Sequence, residues 1–355
     1  MPSHNSKPLS KKALAYLSAL TLLFSYAELI LPRVFPFFRL GLANTVILLA
    51  LDINFVSYLI LSILKALAAS LTGGTLFSPF FLISLLQSLA SALCMRFLYK
   101  ILSKKAISLY GISVAGSALS ALVQIYLAAL YIGRGSYALL GPMLIFNTVS
   151  GIITAFFCQK LGIKEMLISL ENTTDSCEEK TDKEVYGVSF ALQTLFAILI
   201  ISLSIAIFFI KNLYILTACL ILSLLAQGLS ERKIYILPHL SIWIFILFSA
   251  LFIPNGKVLF KLWNFTLTQG ALLMAVRKAL TLSAVSALSQ CAVSLKPSDK
   301  SLLGQSLNYY RIMNDRFRNS QGTILSRIIN SLNIIQTINP TAQQIELSQT
   351  NEEFQ

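Results

Sequence analysis

Apolar residues fall into ten blocks separated by short polar or charged breaks. The blocks run over about 13–31, 40–51, 53–71, 77–99, 107–131 and 137–159, and then over about 189–210, 213–228, 234–253 and 266–294. A helix that crosses the hydrocarbon of a bilayer needs roughly 20 apolar residues. The pattern therefore predicts an all-α polytopic transmembrane bundle of six helices followed by about four more. The second block is short for a full crossing. It predicts a broken or tilted helix backed by its neighbours, because unpaired backbone is not tolerated against lipid. Between the two sets the pattern stops. Glu165, Glu171, Asp175, Glu178, Glu179, Asp182 and Glu184 give residues 160–187 the composition of a solvated acidic linker. The expected organisation is a six-span domain over 1–165, a linker over 166–187, a second membrane region over 188–310 and a basic, partly amphipathic cytoplasmic tail over 311–355.

Composition removes most alternatives. Of the 355 residues, 56% are hydrophobic and 12% charged, against about 45–50% and about 25% in soluble domains, which excludes a water-soluble enzyme. A secretory signal has a single short apolar region, whereas apolar blocks here recur from Ala13 to Val293. The basic residues decide the orientation. With the N-terminus inside, 19 of the 28 Lys and Arg side chains lie in inner segments and 6 in outer loops, with Lys65, Arg277 and Lys278 inside spans. Short cytoplasmic loops retain positive charge, so both termini are expected in the cytoplasm of a cell whose inner membrane holds the protein. The net charge of +13 then reflects topology and contact with anionic lipid rather than nucleic-acid binding. Five scattered cysteines without a CxxC pair and two histidines, His4 and His239, predict neither disulfides nor a metal site.

Absent motifs narrow the chemistry. The sequence has no GxxxxGK[ST] phosphate loop, no HExxH and no adjacent aspartates, so it offers no route to ATP hydrolysis by that loop and no Asp-rich magnesium–diphosphate cluster. No catalytic residue and no cofactor is expected. Three ionisable residues lie in first-half spans. Glu28 and Asp52 fall near helix ends, where an interfacial carboxylate explains them as well as a functional one. Lys65 lies deeper, where charge costs about 2.5–3.5 kcal/mol on insertion scales and requires a carboxylate partner, a ligand or snorkelling. Between the third and fourth spans, Leu71-Thr72-Gly73-Gly74-Thr75-Leu76-Phe77-Ser78-Pro79-Phe80-Phe81 reads as turn chemistry; the alternative is a loop whose glycines let backbone amides approach a polar ligand. Ala15 and Ala19 form a small-xxx-small face on the first span. In the last span, Arg277 and Lys278 cannot share one helix face, so at least one points inward, towards Gln269 or backbone carbonyls, or towards a coupling role.

The order Pro36-Phe37-Phe38-Arg39-Leu40-Gly41-Leu42-Ala43-Asn44, Leu49-Ala50-Leu51, then Leu71 to Phe81 resembles the Gx transporter family. That family has long carried the label heptaprenyl diphosphate synthase component I and is similar to the substrate-binding S components of energy-coupling-factor transporters. The likeness covers about residues 10–165. It implies a ligand pocket near the outer face at Arg39, Asn44, Thr72, Gly73, Gly74, Ser78 and Phe80, with Gln124 and Asn147 facing it and Lys65 standing where relatives more often carry arginine. It also implies that Ala15 and Ala19 dock a T subunit. Through Phe252-Ile253-Pro254-Asn255-Gly256, Leu267-Thr268-Gln269-Gly270-Ala271-Leu272 and Arg277-Lys278-Ala279-Leu280, residues 188–310 are similar to a T component. The Ala-Arg-Gly or Ala-Arg-Ser coupling motifs and the final helix of T components are not visible.

Two functions follow as expectations. The first is a transport component that binds a small organic solute, vitamin- or flavin-like or isoprenoid-related, with a fused scaffold and separate ATPase subunits. The second is a membrane accessory subunit of heptaprenyl or polyprenyl diphosphate synthesis, whose soluble synthase partner supplies the Asp-rich motifs. Membrane lipids are partners in either case. The basic segment from Tyr309 to Ile335 is expected on the inner leaflet or in a partner's groove.

Overall fold

The computed structural model describes residues 10–30, 41–73, 76, 78–102, 107–160, 190–229, 236–252, 254–262, 265–291, 301–322, 326–328 and 331. The first half contains α1 (Lys11–Ile30), α2 (Asn44–Leu49) continued by one 3-10 turn (Ala50–Asp52), α3 (Phe55–Gly73), α4 (Pro79–Ile101), α5 (Leu109–Ile132), a 3-10 segment (Arg134–Leu139) and α6 (Leu140–Lys160). The second half contains α7 (Phe190–Phe209), α8 (Leu213–Leu229), α9 (Ile236–Ala250), a hairpin of β1 (Val258–Leu262) and β2 (Phe265–Thr268), then α10 (Gln269–Cys291) and α11 (Leu302–Asn319). Local chemistry sets several boundaries. Pro79 opens α4, where its missing N–H costs nothing. The Ser108 and Ser301 hydroxyls accept from the Gly111 and Gly304 amides to cap α5 and α11. Gly133, at φ +113°, ends α5 in a conformation other residues avoid.

Among the described residues, four stretches are long and apolar enough to cross a membrane: Pro79–Ile101, Leu109–Tyr131, Arg134–Lys160 and Gln269–Gln290. The chain is thus an all-α helical bundle of membrane type, and its second apolar block is broken as its length predicts. The second apolar block is not a span. α2 has six residues, which rise about 9 Å against a hydrocarbon thickness of about 30 Å, and Thr45 to Leu49 are all buried. Within this bundle residues 258–268 pair as one short antiparallel hairpin.

The core of the first half is built from α1, α2 and α3, closed by Ala92 and Met95 of α4, Ile112 of α5, and Ala155 and Cys158 of α6. α5 and α6 approach backbone to backbone. A Cβ on Gly151 would lie 2.9 Å from Val114 Cα, and the Ser113 hydroxyl donates to the Gly151 carbonyl at 2.7 Å. In the second half α10 is the central helix, buried at every position from 279 to 290 and packed by α7, α8 and α9. The halves meet where Phe80 and Tyr131 pack on the α9–α10 cluster, with Tyr131 edge-on to Phe208 at 5.3 Å.

α11 returns to the first half and lies along α1, with Tyr309 on Tyr16 (6.2 Å) and Phe317 on Tyr26 (6.3 Å). The two helices therefore run in the same direction. Met313 and Phe317 are fully buried in the first-half core. The apolar face of this basic segment, expected against lipid or in a partner's groove, is spent on the chain's own first helix. Ala15 and Ala19 on α1 are both at 0% exposure.

Candidate functional site

α2 is short because the chain turns sharply into it and out of it. Gly41 takes φ +66°, and the Asn44 and Thr45 amides donate to the Gly41 and Leu42 carbonyls at 2.7 and 2.9 Å. That turn carries Asn44 to the middle of α3, where the Lys65 ammonium donates to Asn44 Oδ1. On the other side α6 approaches. A Cβ on Gly41 would lie 3.2 Å from Asn44 Nδ2 and 3.3 Å from Ser150 Oγ, so the glycine leaves room for both polar groups. The Thr154 hydroxyl donates to the Ser150 carbonyl at 2.8 Å and lies 3.5 Å from the Gly41 carbonyl. Thr45 Oγ1 is buried and, among the described residues, has no hydrogen-bond partner. An ammonium, an amide, hydroxyls and a turn carbonyl thus converge where a broken helix meets two others.

Of the residues expected here, the structure brings Asn44 and Lys65 together. Asn147 is half-buried on α6, but its amide donates to its own helix at Met143, 2.9 Å away. Gln124 is half-buried on α5. Thr72 and Gly73 form the last turn of α3, and Ser78 is buried just before α4. Phe80 packs in the seam between the halves. Arg39 and Gly74, like the acidic linker, lie outside the described residues. Ser150, Thr154 and the Gly41 turn were not anticipated. The available signal was Ser150 and Thr154 four apart, on one face of an apolar helix.

The other polar groups are structural. Asp52 is exposed at a helix end and accepts from the Tyr99 hydroxyl, which supports the interfacial reading. Arg96 donates to the Ile53 carbonyl at 2.7 Å and stacks over Tyr58 at 4.9 Å, tying α3 to α4. Glu28 lies on α1, its side chain outside the described set. In the second half Arg277 reaches the Ile210 carbonyl at 3.4 Å, a backbone carbonyl as one reading anticipated. Gln227 and Gln290 bond across α8 and α10. Among the described residues no three His, Cys, Asp or Glu side chains cluster as metal ligands.

Residues 17–161 match the family described as heptaprenyl diphosphate synthase component I, and residues 190–294 match a domain of unknown function, DUF8519. The first half of the chain is thus similar to the component I family, over somewhat less than half of the full length. No curated protein and no solved structure matches it.

Proposed function

We propose that the first half is a non-catalytic binding component that holds a small polar solute in the chamber between α2, α3 and α6. The observation that carries this reading is the broken helix α2, which gives up a continuous span and so places Asn44 and Lys65 together inside an apolar bundle. Polar groups within membrane bundles are costly and usually mark ligand pathways. Arg39, Thr72, Gly73, Gly74, Ser78, Gln124 and Asn147 are proposed to complete the chamber. The likeness to energy-coupling-factor S components favours uptake driven by separate ATPase subunits, with α7 to α10 as the scaffold. The family description favours a second reading, a membrane subunit that presents an isoprenoid to a partner synthase.

One experiment separates the two. The full chain is purified from its own membrane and its retained small molecules are identified by mass spectrometry, alongside Lys65→Met and Asn44→Ala. The expected result is a defined solute retained by the native chain and reduced at least ~10-fold in both variants, a loss of about 1.4 kcal/mol. A chain that retains nothing, with deletion shortening quinone side chains and leaving solute uptake intact, would sink the binding reading in favour of the synthase subunit.

A further inference from the structure

The hairpin between α9 and α10 has a composition that neither water nor hydrocarbon accommodates. Val258, Leu259 and Phe260 are 61%, 56% and 59% exposed, and the flanking Lys257 and Lys261 are exposed as well. A hairpin in water covers one face and turns polar residues outward. Here three consecutive residues, spanning an irregularity in the pairing between Val258 and Phe260, are all apolar and all uncovered. The helix ends on either side of the hairpin are apolar as well. Phe248 and Phe252 pack edge-on at 5.3 Å at the end of α9, and Leu273 and Met274 stand exposed in the first turns of α10. Exposed apolar surface of this kind marks a contact with membrane or protein.

The hydrocarbon core is closed to it for a different reason. A two-stranded ribbon leaves the outer edges of both strands with unpaired N–H and C=O groups, which lipid tails cannot satisfy. The position is fixed nonetheless. The Gln269 amide donates to the Lys257 carbonyl at 2.9 Å, Gly270 to the Asn255 carbonyl at 3.1 Å, and the Asn255 amide to Thr268 Oγ1 at 2.7 Å. A Cβ on Gly270 would stand 2.6 Å from the Asn255 carbonyl oxygen, so only glycine permits this clasp. Gln269 and Gly270 are also the first residues of a membrane-crossing stretch. The ribbon is thereby clamped at the level where that stretch begins.

We propose that residues 257–262 form an interfacial anchor: Val258, Leu259 and Phe260 sit in the boundary between headgroups and acyl chains, and Lys257 and Lys261 engage lipid phosphates. This is the one layer that supplies apolar contact, water for the strand edges and anions for the two lysines.

The test uses the full chain in phospholipid vesicles, with an environment-sensitive fluorescent amino acid at position 259. Nitroxide lipids labelled near the headgroup end of the acyl chain should quench it at least twofold more strongly than lipids labelled near the chain end or aqueous iodide. Lys257→Glu with Lys261→Glu should at least halve the shallow-nitroxide quenching. A circular-dichroism spectrum matching the parent confirms that the helices are intact, and Lys257→Gln with Lys261→Gln repeats the measurement with a milder change. Dominant iodide quenching would place the strand in water and overturn the proposal. So would absence of quenching by every probe, which would mean that a protein covers the strand, or quenching unchanged in both lysine variants.

Discussion

α1 and α10 are the innermost helices of their halves, yet they are covered by opposite kinds of helix. α7 and α8 cover α10 and turn Leu195, Ile198, Leu199, Phe209, Ile221, Leu222 and Leu225 outward, each well exposed. α11 covers α1 and turns Asn308, Arg311, Ile312, Asp315, Arg318 and Asn319 outward. The inward task is the same, so the outward residues report the surroundings. α7 and α8 suit hydrocarbon. α11 does not, because each ionised side chain at bilayer depth costs about 2.5–3.5 kcal/mol. Its outer stripe faces water or another polar surface, although it runs beside an apolar helix.

The largest effect on this contrast is expected from Phe317→Ala. The ring is fully buried, stacks on Tyr26 and lies under the Arg327 guanidinium at 4.4 Å. Its loss should weaken α11 docking by about 3–5 kcal/mol, read as faster hydrogen exchange or proteolysis at residues 302–319 with α10 unchanged. Equal loosening of both helices would mean that the halves do not hold their covers independently.

Next in size is a matched pair of charges. Leu222→Arg on α8, where the side chain is 65% exposed, should impair membrane integration by about 2.5–3.5 kcal/mol. Ile312→Arg on α11 should change it by no more than about 0.5 kcal/mol. Similar penalties would show that α11 touches lipid after all.

The smallest effect is on pH dependence. Burial, and secondarily the neighbouring Tyr26, pushes the Tyr310 phenol up to about 12, and burial raises Tyr309 too. The folded value stands above the ordinary value of about 10. The contribution to docking is therefore complete below about pH 10 and lost as pH climbs towards 12. A tyrosinate absorbance titration should show a late component that Tyr310→Phe removes, and α11 should become protease-sensitive over the same range while α10 does not.

The spans were legible because an apolar run of span length has few other fates, and α2 announced itself by being too short. The hairpin was not. Val258-Leu259-Phe260 and Phe265-Thr266-Leu267-Thr268 are apolar enough to pass for the fringe of neighbouring helices, and the positive φ of Gly256 (+85°) is invisible in a string of letters. Asn44 and Lys65 stood out singly, but no periodicity links positions 21 apart across a turn. Ser150 and Thr154 escaped because a helical hydroxyl can satisfy itself on its own backbone, as Thr154 does at Ser150. Phe80 packs against the α9–α10 cluster, a partner more than 160 residues away that no local pattern indicates. The amphipathic character of α11 could be read from spacing, whereas the helix it covers lies nearly 300 residues earlier.

That distance governs how the protein is made. α1 leaves the ribosome roughly 270 residues before α11 exists, a delay on the order of 15–60 s at ~5–20 residues per second. For that interval the flank of α1 that later receives Met313 and Phe317 lacks the cover that α11 supplies, and the newborn chain must lean on lipid or on the insertion machinery until α11 arrives.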